Sequence, residues 1–281
     1  MNDLRRRFAV STVSVVLVIC LFVFAFHPWL QFAVAGLVAI LTSVAVWEYE
    51  RLAKAKGSQT MPILLGFSFL EVLSFFIAAR IFSSACLPAV IFFLAFLTLF
   101  ALHFRDKNGA IMDMAVSSFG LLYIAVPMGM VLGILYFIGG QDGRWWVAYL
   151  LTVTKITDIG AYFAGSLWGR RKLAPHISPG KTVEGAIFGL LCAVFASFCF
   201  YLLSHSVGSP RFYLGTMEWI FLGLILGVTS QFGDLSESLL KRDANMKDSN
   251  ALPGVGGILD VIDSLLFNTP IIYLYLNFVK S

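Results

Sequence analysis

The sequence predicts an all-α, polytopic integral membrane protein, a bundle of about nine transmembrane helices with a cytoplasmic N-terminus. Three observations carry that expectation. Of 281 residues, 59% are apolar and only 13% charged, against roughly 25% charged in an ordinary soluble domain. The mean hydropathy is +0.85. The apolar residues also come in unbroken runs, such as 8–26 and 81–102, near the length of about 20 residues that a helix needs to cross a bilayer. A soluble domain is excluded, and a membrane β-barrel would instead alternate over segments of about ten residues.

Taken in order, the expected spans are 8–26, 29–47, 61–79, 81–102, 114–138, 145–168, 183–203, 217–236 and 258–279. The first follows Arg5, Arg6 and Arg7, but it is longer than a signal-peptide core of 7–15 residues and lacks a small-x-small cleavage site, so it reads as a retained helix. Only His27 and Pro28 part it from the second, which makes a tight hairpin. The third carries a lone carboxylate, Glu71, and the fourth is apolar throughout. Pairs of glycines four apart mark the fifth (Gly129, Gly133), the seventh (Gly185, Gly189) and the eighth (Gly223, Gly227). Such spacings let helix backbones approach closely and indicate packing. The sixth admits Lys155 and Asp158, three apart on one helical face. The ninth opens with Asp260 and Asp263 at the same spacing. Cys20, Cys86, Cys192 and Cys199 all lie in apolar runs without metal or disulfide spacing and read as packing residues.

Basic residues test the count independently, because cytoplasmic loops carry the excess of Lys and Arg. The N-terminus and the second, fourth, sixth and eighth loops hold fifteen of the twenty. The opposite side has Arg80, Arg144, Arg211 and Lys280, and Lys155 lies within a span. Adding or removing one helix would scramble this division. Up to residue 138 the loop charges are explained by topology. The chain therefore divides into N-terminal scaffold helices, 1–144, and a C-terminal catalytic region, 145–281, within one membrane domain.

Chemistry concentrates in that second half. The sixth loop, 169–182, places Arg170, Arg171, Lys172, Ser178, Lys181 and Thr182 immediately before a helix. Free N–H groups and the partial positive charge of a helix N-terminus favour anions. Gly180-Lys181-Thr182 is not a P-loop, since Pro175 stands where GxxxxGK[ST] needs glycine and no strand precedes it. The strongest constellation spans 233–264, where Asp234, Glu237, Asp248, Asp260 and Asp263 are expected to line one cytoplasmic mouth. Neighbouring buried carboxylates repel, and a divalent cation relieves this. Hard oxygen ligands suit Mg²⁺, which takes one or two carboxylates together with substrate phosphates. Lys241, Arg242 and Lys247 supply charge for the phosphates, and Ser238 a hydroxyl.

These residues resemble the integral-membrane phosphatidate cytidylyltransferases, also called CDP-diacylglycerol synthases. One matching block is Lys172-Leu173-Ala174-Pro175 with Ser178-Pro179-Gly180-Lys181-Thr182, preceded by Asp158 and Gly160-Ala161-Tyr162-Phe163. The other is Ser238, Lys241-Arg242, Lys247-Asp248, Pro253-Gly254, Gly256-Gly257 and Asp260 with Asp263. The resemblance covers about 145–279. Where the family usually has His-Gly-Gly this chain has Val255-Gly256-Gly257, and Val261 stands where an Arg is usual between the aspartates. One residue is also missing between Lys247-Asp248 and the glycines.

The resemblance implies the reaction of CTP with phosphatidate to give CDP-diacylglycerol and pyrophosphate at the cytoplasmic face of the inner membrane. It implies Asp234, Asp260 and Asp263 as Mg²⁺ ligands and catalytic groups, with Asp248 a further ligand and room for a second cation. Lys181, Lys241, Arg242 and Lys247 would hold phosphates, Ser178, Thr182 and Ser238 would donate hydrogen bonds, and Lys155 and Asp158 would complete the polar wall. It also implies a homodimer in the lipid bilayer and no nucleic-acid partner. The rival readings are a CTP-dependent lipid kinase, which passes on the γ-phosphate, and a transporter, which would call for inverted repeats and helices broken at the midplane.

Overall fold

The computed structural model describes residues 22–59, 62–82, 86–104, 108–137, 139–206, 212–246 and 257–280. Eight helical rods run through them. They are α1 (Leu30–Ala55), α2 (Ile63–Ile77, continued by a π-helical turn Ala78–Phe82), α3 (Cys86–His103) and α4 (Ala110–Gly120, a π-helical turn Leu121–Ala125, then Val126–Leu135). The C-terminal half contributes α5 (Gly143–Trp168), α6 (Val183–Ser206), α7 (Glu218–Asp243) and α8 (Ile258–Val279). These match the second to ninth expected spans in order. The first, 8–26, lies almost wholly outside the described residues, and Lys247, Asp248 and residues 253–256 lie outside them too.

Seven of the eight rods are long and apolar enough to cross a membrane. The other, α5, has 26 residues; its hydropathy is lowered by Lys155, Asp158 and the threonines between Thr152 and Thr157. Two helices outrun their apolar segments. α1 continues to Ala55 and α7 to Asp243, because backbone hydrogen bonding does not stop where the hydrocarbon core ends. Glu48, Glu237 and Lys241 are thereby helical residues with fixed directions.

The outer surface is apolar. On α6, Ile187, Leu191 and Phe195 are 57–66% exposed, whereas Gly185, Gly189 and Ala193 face inward. A Cβ on Gly189 would stand 2.8 Å from the Thr157 carbonyl oxygen, so the α5–α6 contact is a backbone-to-backbone approach that glycine permits. Cys192 packs against Gly160 in the same seam, and among the described cysteines Cys86, Cys192 and Cys199 are free thiols. Glu71 on α2 is 2% exposed, with one carboxylate oxygen unpartnered among the described residues.

The helix ends sort onto two faces. At one, Lys56 pairs with Asp243 at 2.9 Å, Ser58 donates to Asp113 at 2.9 Å, and Arg242 Nε donates to the Ile177 carbonyl at 3.1 Å. At the other, Arg80 meets Gln31, Arg144 meets the Val23 carbonyl and Lys280 pairs with Glu218. Loops that charge counting assigned to one side therefore touch one another.

The sixth loop is not irregular. It forms an antiparallel hairpin, β1 (Lys172–Ala174) and β2 (Ser178–Thr182), with Lys172 opposite Thr182 and Ala174 opposite Ser178. Its end is tied to α6: Thr182 Oγ1 accepts the Gly185 N–H at 3.2 Å, Val183 N–H reaches the Arg171 carbonyl, and Glu184 accepts the N–H groups of Arg170 and Arg171.

Candidate active site

The charged residues gather where α5, α7 and α8 cross. Gly233 makes the crossing close: a Cβ there would lie 2.5 Å from the Asp263 carbonyl oxygen and 2.9 Å from Ser264 Cα. On α5, Asp158 Oδ1 accepts the Ser230 hydroxyl of α7 at 3.0 Å and the Ser264 hydroxyl of α8 at 3.5 Å. Lys155, 3.9 Å from Asp158, donates to the Val261 carbonyl at 2.9 Å. Asp263 is 6% exposed and accepts the Ser264 N–H. Asp158, Asp234 and Asp263 are near enough for their charges to repel. Just beneath, buried Asn268 joins the three helices through Thr154 at 2.8 Å and Thr229 at 2.5 Å.

A second cluster holds Lys241 and Asp260. Lys241 Nζ sits between Glu237 at 2.5 Å and Asp260 at 2.7 Å, and Asp260 Oδ2 also accepts the Gly257 N–H at 3.3 Å. Asp260 thus pairs with Lys241 while Asp263 points toward Asp158 and Asp234, so the four acids are not one group. Among the described residues no three of His, Cys, Asp or Glu converge as a closed metal site.

Above the first cluster lies a cavity of about 390 Å³, lined by Asp158, Ser178, Lys181, Thr182, Gln231 and Asp234 among others, within the usual range for small-molecule sites. Lys181 Nζ pairs with Asp234 at 2.7 Å across its mouth. The first N–H groups of α6 are already taken by Thr182 and Arg171. The positive charge that faces the cavity is therefore that of Lys181 on the hairpin, while these N–H groups of the helix N-terminus have partners within the protein. Arg242 braces the hairpin turn through Ile177. Ser238 is half-buried and outside the cavity lining; Lys247 and Asp248 lie outside the described residues.

The sequence did not mark two residues here, Gln231 and Tyr123, and did not reveal the partner of a third, Glu237. Gln231 lines the cavity and donates to the Ala186 carbonyl at 3.0 Å. Glu237, expected only as part of the acidic mouth, is 1% exposed and the direct partner of Lys241; its i,i+4 spacing was the available signal. Tyr123, on the π-helical turn of α4, is 8% exposed, within electrostatic reach of Asp263 and Glu237, and has a hydroxyl unpartnered among the described residues.

A family model described as the Cytidylyltransferase family matches residues 6–279. The chain belongs to this cytidylyltransferase family. A phosphatidate cytidylyltransferase of Chlamydia pneumoniae is 35% identical over 292 residues, covering 100% of this chain and 94% of that protein. One of Chlamydia muridarum is 34% identical over 303 residues, covering 100% of this chain and 95% of the relative. One of Bacillus subtilis is 45% identical over 137 residues, 48% of this chain and 49% of that protein. Cytidylyltransferases of this kind generally use divalent cations. The oxygen donors fit such an ion: Asp158 and Asp234 share the cavity wall and repel Asp263 beside them. With no closed set of three such ligands among the described residues, positions would stay open for phosphate oxygens.

Proposed function

We propose that this membrane enzyme transfers the cytidylyl group of CTP to phosphatidate, forming CDP-diacylglycerol and pyrophosphate. The observation that carries the reading is the amphipathic cavity. Its inner wall holds Lys181, Asp234 and Asp158, while its rim includes Tyr162, 74% exposed on the apolar face of α5. A polyphosphate suits the first and a lipid suits the second, so the acyl chains need not leave the bilayer. Full-length similarity to phosphatidate cytidylyltransferases supports the same substrates.

A phosphomonoester has a second pKa of about 6, so the attacking phosphate is already an anion at neutral pH and needs no strong base. The difficulty is bringing two anions together, and preorganised cations answer it. In this reading Asp234 and Asp263, with Asp158 beside them, would hold Mg²⁺, and Asp260, in the neighbouring cluster with Lys241, is proposed as a further ligand. Bound there, the ion would neutralise phosphate charge; Asp248 and a second cation belong to the same proposal. Lys181, Lys241, Arg242 and Lys247 hold phosphates, Ser178, Thr182 and Ser238 orient them, and Lys155 keeps the α5–α8 wall in register through Val261. Residues 1–144 serve as scaffold and 145–281 as the catalytic region. The basic loops support a cytoplasmic N-terminus and a site on the cytoplasmic side of the inner membrane, and a homodimer is the proposed assembly.

The test is purified protein with phosphatidate, Mg²⁺ and CTP labelled in the cytosine ring. Label entering lipid with equimolar pyrophosphate is expected. Label staying in the aqueous phase while lipid gains the γ-phosphate would make the protein a lipid kinase, and no turnover would refute both.

A further inference from the structure

We infer that Glu48, on α1 in the scaffold half, is a positioning residue for the acids at the start of α8. This rests on the reading of Asp260 and Asp263 as reacting-site groups. Glu48 is 1% exposed. Its Oε1 accepts the Ile258 N–H at 3.0 Å and its Oε2 the Leu259 N–H at 2.8 Å, across more than 200 residues of sequence. The first turn of any helix leaves N–H groups without intrahelical partners, and a carboxylate there also meets the positive end of the helix dipole.

In α8 three successive donors are taken by two carboxylates. Gly257 N–H goes to Asp260, and the next two go to Glu48. The turn so held is the one that aims Asp260 at Lys241, and Asp263 follows one position below Ile262 on the same helix. Glu48 therefore acts through the backbone that carries these side chains. Its neighbour Glu50 makes the contrast. Also 1% exposed, it has its ion pair with Lys54, at 3.7 Å, inside α1.

The residue works as a rigid strut only if both oxygens accept. Glu48→Gln preserves shape but turns one acceptor into a donor facing an N–H. In the full-length protein in nanodiscs without added metal, amide exchange of the peptide covering 257–263 should quicken about tenfold, with the rest of the bundle unchanged. The half-saturating Mg²⁺ concentration for turnover should rise about tenfold, while Glu50→Gln changes neither. Glu48→Ala, if it fails to fold, leaves the Gln variant as the deciding case. Exchange at 257–263 that stays at the wild-type rate overturns the inference. So does a rise spread evenly through all helices with an unchanged Mg²⁺ half-saturation, which is the signature of a merely structural group. Absence of CDP-diacylglycerol formation by the wild type would refute the proposed reaction instead, and the exchange measurement would still judge Glu48.

Discussion

Gly233→Ala is the most informative single change, because it adds one methyl group at the point where α7 touches α8. The new carbon would stand 2.9 Å from Ser264 Cα, and ordinary carbon contacts begin near 3.5 Å, which requires about 0.6 Å of separation. Against the Asp263 carbonyl oxygen the gap is 2.5 Å, where about 3.3 Å is comfortable, so about 0.8 Å is needed. Both atoms are backbone and cannot rotate away. The helices must part by nearly 1 Å at the level of Asp234 and Asp263, a misplacement that costs on the order of 10²-fold in rate, or about 2.7 kcal/mol of barrier. Overpacking should also lower stability by about 1–3 kcal/mol. Gly66→Ala on α2, where nothing lies within 4 Å of the added carbon, is the matched control and should stay within twofold. The assay is incorporation of ring-labelled CTP into lipid, beside thermal unfolding in the same detergent. A Gly233→Ala enzyme with near-normal turnover would show that the crossing does not set the geometry of the acids.

The other predictions concern charge and polarity. Asp260→Asn should reduce turnover by about 10³-fold or more while the protein still extracts as a folded species on size-exclusion chromatography; retained activity would remove Asp260 from the site. Lys241→Ala leaves the buried carboxylate of Glu237 without its cation, so stability should fall by about 3 kcal/mol and the CTP concentration for half-maximal rate should rise. Adding Glu237→Gln should restore the melting temperature but not CTP use, and an unchanged CTP dependence in the single variant would refute a phosphate role. Asn268→Ala breaks the Thr154–Asn268–Thr229 chain and should cost about 1 kcal/mol, read in unfolding midpoints, with activity within a few-fold.

Much of the fold was legible because its signals are local. Runs of apolar residues and the uneven division of Lys and Arg located eight described helices in order, and the two clusters of contacts at opposite helix ends agree with that alternation. The glycine spacings at 185/189 and 223/227 became close helix contacts. What the patterns did not reveal lies at the ends of helices. The reading closed the second span at residue 47 because charges begin there, so Glu48 was counted as loop, whereas α1 runs on and buries it. The hairpin at 172–182 was hidden for a related reason: proline, glycine and lysine are poor strand formers, and its pairing is supported by Arg242 and Glu184 from helices.

Composition, run length and charge order alone determined that the chain crosses a membrane repeatedly, and the motifs between 158 and 263 identified the chemistry. Each is a property of neighbouring residues. Only the tertiary structure decided that Asp263 belongs with Asp158 and Asp234 while Asp260 shares Lys241 with Glu237, and that a glutamate from the N-terminal half holds the start of α8. Those pairings depend on where helices distant in sequence cross and how closely their backbones meet, and a linear pattern carries no distance between them.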